Sequence, residues 1–163
     1  MLDACHERVE RTLQLLLKLA QHLSDHGNDE QARQAALDVM RYFDQAGPAH
    51  HLDEERHLFP ALAQHPNANL QALAQQLQAE HLELAQRWQQ VRQDLQRVCG
   101  PTRRVASAQS RLHWADFASR YRSHMQAEDT AAYPAARALL DVAAEQRMGQ
   151  DMAARRGVNS AGP

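Results

Sequence analysis

HHLDEERHLFPA (residues 50–61) and HMQAEDTAAYPA (residues 124–135) are two versions of one phrase, and their reading decides the fold. In each, Glu stands four residues after the leading His, and an acidic residue follows at once. In each, an aromatic falls at offset nine, Pro at ten and Ala at eleven. A helix turns about 100° per residue, so His50 and Glu54, like His124 and Glu128, share one face about 6 Å apart. Imidazole nitrogen and carboxylate oxygen so placed can reach one metal centre. The repetition predicts a pseudo-two-fold site for two metals.

Two further histidines extend the pattern. His6 lies 44 residues before His50, and His81 lies 43 before His124. The chain therefore reads as a duplicated helix hairpin with a period of 74 to 75 residues. Two copies are too few for a solenoid. The expected fold is all-α, an up-down-up-down four-helix bundle of two pseudo-symmetric hairpins, each helix contributing one histidine.

A lone His-x3-Glu pair is weak evidence, because charged helix surfaces favour it as a solvated pair. Random placement gives about half a pair; five occur, at His6–Glu10, His26–Glu30, His50–Glu54, His51–Glu55 and His124–Glu128. His26–Glu30 spans a loop and reads as surface. The longer phrase settles the register, since nine residues after His51 comes Pro60 rather than the aromatic. The twin His51–Glu55 is the alternative pair, turned about 100° away toward solvent or a neighbouring helix.

His6 and His81 stand in hydrophobic stripes, where a satisfied core histidine competes with a ligand; their matching offsets favour the ligand. Glu10 shares the face of His6 and could be a ligand, a supporting acceptor or surface. His113 lies about 16 Å from His124 along a helix and cannot join the site. His22, His57 and His65 have no counterparts and read as solvated.

Composition agrees. The chain has 163 residues, 5% aromatics, and six each of Gly and Pro, a strongly helical profile. A net charge of −2 gives no reason to expect nucleic acid or an anionic membrane as partner. No apolar run approaches the roughly 20 residues a membrane span needs. The N-terminus is charged from Asp3, so no secretory signal is expected and the cytoplasm is the expected location. Cys99 lies 18 residues beyond His81, about 27 Å along a helix, whereas Cys5 adjoins His6. Two thiols are expected rather than a disulfide, with Cys5 read as a buried structural residue and a neighbour of the metals as the alternative.

Helices are expected at about 2–23, 30–63, 70–98 and from about 102–106 to 142. Gly47-Pro48 should break or kink the second just before His50, and Pro134 should bend the fourth. The bundle is expected over residues 1–148, and residues 149–163 should form a flexible tail.

These residues resemble the hemerythrin HHE cation-binding family. HHLDEERHLFPAL resembles its second-helix signature, EHLEL around His81 its third-helix histidine, and RSHMQAEDTAAYP its fourth-helix signature. The resemblance covers about residues 2–145. It implies two non-heme iron ions, oxide- or hydroxide-bridged, held by His6, His50, His81 and His124, with Glu54 and Glu128 bridging. Oxygen-carrying members have a second histidine four residues after the first on helix 3, where this chain has Ala85. Their fourth-helix carboxylate comes five after the histidine, where this chain has Asp129, with Glu128 at four. The set is closer to the branch linked with iron sensing, nitric oxide or peroxide responses and repair of iron clusters.

Mixed imidazole and carboxylate donors suit iron, with manganese or a mixed pair also compatible. The expected function is to bind or react with O2, NO or peroxide at an open di-metal position. Iron handling or sensing without turnover is the alternative, and a sensor would need a protein partner. Leu58, Ala132 and Tyr121 are the candidates to shape the pocket.

Overall fold

The computed structural model describes residues 2–102, 106–139 and 142–155. These are helices joined by short turns, without a strand among the described residues. Four long helices are α1 (Leu2–Asp25), α2 (Glu30–His57), α4 (Ala68–Cys99) and α5 (Ala108–Ala127); α3 (Phe59–Ala63) is a short helix between the second and third. A π-helical turn, Glu128–Ala132, follows α5 and leads into α6 (Tyr133–Leu139) and α7 (Val142–Arg155). α1 packs on α2 and α5, and α4 packs on the same two, so the four long helices close a ring of contacts.

Local chemistry sets the ends. Asp29 caps α2 by accepting from the Ala32 amide at 2.8 Å, which satisfies an otherwise orphaned donor. Gly27 before it takes φ 78°, a left-handed value that Gly reaches without a Cβ clash. Asn67 and Ser107 cap α4 and α5 in the same way. Of the apolar stripes expected, Val9, Leu13 and Leu16 on α1 and Leu77, His81, Leu84, Trp88, Val91 and Leu95 on α4 are buried, while Leu17, Ala20 and Leu73 are half-buried.

The apolar core divides in two. The larger cluster fills the α1–α2–α4–α5 interior and includes Leu13, Leu16, Phe43, Trp88, Trp114, Phe117 and Tyr121. The smaller gathers Leu58, Phe59, Leu62, Leu77, Ala132, Tyr133 and Met152 around α3 and α6. Along the chain His50 and Glu54, His81, and Glu128 each fall between residues of the two clusters, so a polar layer is sandwiched by hydrocarbon.

Three expectations are corrected. Pro48 does not break α2, which runs unbroken from Glu30 to His57. One turn earlier Phe43 packs on Trp88, Phe117 and Tyr121 at ring separations of 5.0, 5.2 and 5.6 Å, and this holds the helix through the missing N–H. Second, the break comes later, at Leu58, with Pro60 in the first turn of α3, where a lost amide costs nothing. Just before Pro134 the chain widens into the π turn, whose closing bond runs from the Tyr133 amide to the Glu128 carbonyl. Third, the helix does not end at Gly149. α7 continues to Arg155, Met152 is fully buried, and Arg155 Nη1 lies 2.7 Å from the buried Asp53 Oδ1. Residues 156–163 of the expected tail lie outside the described residues. No described helix is long and apolar enough to cross a membrane.

Candidate metal centre

Each helix of the ring delivers its histidine to the polar layer. His6, on α1, is 6% exposed, and His50, His81 and His124 are still more buried; Glu54 and Glu128 are fully buried. Donor atoms of His6, His50, Glu54 and Glu128 all lie within 4.8 Å of one another, as do those of Glu54, His81, His124 and Glu128. The two groups share both glutamates. All six residues singled out by the sequence are thus brought together.

Each pair within a phrase meets as helix geometry dictates: His50 Nε2 is 3.4 Å from Glu54 Oε1, and His124 Nε2 is 3.0 Å from Glu128 Oε1. The hairpins cross-connect, with His6 Nε2 3.2 Å from Glu128 Oε2 and His81 Nε2 3.5 Å from Glu54 Oε2. The Nε2 atoms of His81 and His124 are only 3.1 Å apart, too close for both to carry protons comfortably.

The outward nitrogens are held by carboxylates. His6 Nδ1 meets Asp129 at 2.9 Å, His81 Nδ1 meets Glu55 at 2.8 Å, and His124 Nδ1 meets Glu80 at 2.9 Å. An ionised carboxylate only accepts, so each ring donates Nδ1–H and turns its Nε2 inward. Such pairs orient imidazoles for a metal and make them more basic.

Asp129 and Glu55 are the acidic residues that follow each glutamate in the phrase. Their repetition was visible in the sequence, but their roles were not. Glu80 gave no signal, because its counterpart one residue before His6 is Cys5. Both cysteines are thiols, as expected.

Two more residues complete the centre. Tyr133 stacks against His6 with ring centres 5.1 Å apart, donates its hydroxyl hydrogen to Glu54 Oε1 and places its oxygen 2.9 Å from His6 Nε2. Phe59, the aromatic of the other phrase, lies 5.3 Å from the His81 ring. His51 takes the neighbouring-helix option rather than solvent: it is half-buried and stacked on His81 at 3.8 Å, and its Nε2 bonds the Tyr121 hydroxyl at 2.8 Å. A pocket of about 370 Å³ reaches His51 and His81 from outside, lined also by Ala85, Trp88 and Tyr121. Tyr121 shapes it as expected; Leu58 and Ala132 belong instead to the second core cluster.

The remaining histidines stay outside. Glu10 pairs with Arg122 at 2.8 Å, which settles its role as part of the bundle's flank. His113 bonds Gln109. His22 and His57 are bonded by Asp29 and Asp151 rather than solvated alone, and His65 accepts from the Asn67 amide.

Burial and mutual proximity shift the titratable groups of this layer. Burial opposes charge on His81, yet Glu128, Glu54 and Glu55 push its pKa up to about 10. His6 and His124 are raised against the same burial penalty, chiefly by Glu128. Burial drives His50 down to about 3 and Glu54 up to about 7, the latter with help from Glu128. Glu128 is held well below the usual carboxylate range, against burial, by His124, His6 and His81. Burial and the two glutamates raise the Tyr133 phenol.

Both nitrogens of His50, one oxygen of Glu54 and both of Glu128 have no hydrogen-bond partner although buried. A buried unpartnered polar atom costs about 1–3 kcal/mol. The carboxylate oxygens and the one lone-pair nitrogen of His50 among them are donors of the kind a cation takes.

The family model for the Hemerythrin HHE cation binding domain matches residues 1–147, so the chain belongs to that family. It is also similar to an uncharacterized protein of Haemophilus influenzae, 33% identical over 88 residues. That match covers 54% of this chain and 51% of the relative, so the chain spans about half the length of the curated relative it matches.

Proposed function

We propose that this family member is a non-heme di-iron protein that binds or reacts with O2, NO or peroxide at an open metal position. In this reading His6 and His50 hold one ion, His81 and His124 the other, and Glu54 and Glu128 bridge them. The antiparallel bundle of two hairpins over residues 1–148 supplies the frame. The observation that carries the reading is that both glutamates belong to both donor groups, with unpartnered oxygens facing the shared space.

Four imidazoles and two bridging carboxylates supply about eight bonds, while two six-coordinate ions take about twelve, so about four positions stay open, as a reactive rather than a structural site requires. Two divalent ions against two carboxylates leave a charge of about +2, which favours a small anion or a polarisable diatomic. A reduced iron pair would supply reversible ligand binding or electrons. The chain's own part is orientation through Asp129, Glu55 and Glu80, and exclusion of water by the two core clusters. The pocket at His51 and His81 is the route from outside. The cysteines kept as thiols accord with a cytoplasmic setting.

Metal analysis after anaerobic ferrous loading should give two irons per chain. Exposure to O2, NO and peroxide should then produce distinct near-ultraviolet and visible bands. Iron uptake with no spectral response, together with transfer to an apo acceptor, would select iron handling instead. Failure to retain any iron or manganese would sink the di-metal reading.

A further inference from the structure

The two aromatics at offset nine occupy equivalent places, but only one carries a donor. Phe59 faces His81 with a bare ring, while the Tyr133 oxygen sits 2.9 Å from His6 Nε2 and bonds Glu54 Oε1. Both neighbours are donor atoms of the His6–His50–Glu54–Glu128 group. Metal–donor bonds of roughly 2.0–2.2 Å separate ligands at right angles by about 3 Å, the spacing found here between the phenol oxygen and His6 Nε2. Tyr133 is 2% exposed, so its oxygen faces the interior of the centre rather than solvent.

We infer that Tyr133 is a seventh protein ligand, its phenolate oxygen bound to the metal at the His6–His50 end; this rests on the di-metal reading above. Binding replaces the phenol O–H bond with an oxygen–metal bond and releases one proton to solution, with no electron transferred. The ion at that end then has five protein donors and its neighbour four. The open positions therefore collect at the His81–His124 end, beside the pocket lined by His51 and Ala85. A small ligand arriving through that pocket meets the less saturated ion.

The test loads the full chain anaerobically with ferrous iron, oxidises it with ferricyanide and records visible absorption and resonance Raman spectra. Protein carrying ordinary tyrosine is compared with protein carrying ring-deuterated tyrosine. The expected result is a phenolate-to-ferric charge-transfer band whose enhanced ring modes shift on deuteration. Y133F should keep both irons and lose band and modes; Y121F and Y42F should keep them. If Y133F holds no iron, retention in both other variants still assigns the band, because the chain has three tyrosines. Iron-loaded wild type without phenolate modes, or modes that survive in Y133F or vanish in Y121F or Y42F, overturns the assignment and leaves the di-metal reading standing. A chain that takes up no iron overturns both.

Discussion

The two ends of the centre share a plan and differ in its decoration. At one end His6 and His50 are accompanied by Asp129 and Tyr133; at the other, His81 and His124 by Glu55, Glu80 and Phe59. The repeated offsets give both ends the same imidazoles and a share in the same carboxylates. Among these companions Tyr133 turns an oxygen toward the shared glutamates at one end, while a pocket reaches the other. His50 is the odd histidine, with neither ring nitrogen hydrogen-bonded, whereas its counterpart His124 is held by Glu80. Duplication thus sets where the imidazoles and carboxylates go, and the departures from duplication make the two ends unlike.

The severest break in this comparison removes what both ends share. Glu128→Ala should drop iron from two per chain to below one by metal analysis, since each ion loses a bridging ligand. Retention of two irons would mean that Glu128 is not shared.

Next in size is pH. In the metal-free chain His81 is raised from 6.5 to about 10, and His6 and His124 are raised too. The folded chain therefore holds these protons more tightly than the unfolded one. That stabilisation is full below about 6.5 and is lost as pH climbs through about 10. Glu54, raised to about 7, acts in the same direction, and Glu128, held low, adds no change in this window. Metal must displace the same protons, so the loaded chain gains as the metal-free chain loses. The gap between their melting temperatures should widen from pH 6.5 to 9, by roughly 2–4 °C per kcal/mol. Parallel curves would contradict the protonation scheme.

The carboxylates behind the imidazoles come third. Asp129→Asn and Glu80→Gln should each weaken metal affinity about 10- to 100-fold. Asp129→Asn should act on the His6 end and Glu80→Gln on the His124 end, so a stepwise titration should lose a different step in each. Identical isotherms would erase the distinction between the ends. The mildest change is Ala85→Phe in the pocket wall, expected to slow NO association about tenfold, near 1.4 kcal/mol in barrier, with iron content unchanged. An unaltered rate would mean that ligands enter elsewhere.

How much of this was legible beforehand follows from which signals are periodic. The six candidate ligands and the buried stripes of α1 and α4 repeat at helical spacing, and spacing survives into the structure. Pro48 misled because a proline's local cost was outweighed by the packing of Phe43 on three aromatics, a tertiary effect. Met152 and Arg155 could not be read as docked, because Asp53 lies about a hundred residues from Arg155 and most of the cluster that takes Met152 comes from other helices. Tyr133 escaped for a geometric reason. On a regular helix, offset nine amounts to about 900° of rotation, which puts the aromatic opposite its histidine.

The π turn at Glu128–Ala132 takes up one extra residue, about 100° of winding, so Tyr133 lies where offset eight of a regular helix would put it, about 80° from its histidine. Deleting one of residues 129–132 would restore ordinary winding and leave the phenol in that direction, with His124 and Glu128 unmoved before it. A single-codon deletion should therefore cost the wide turn and spare the oxygen it delivers.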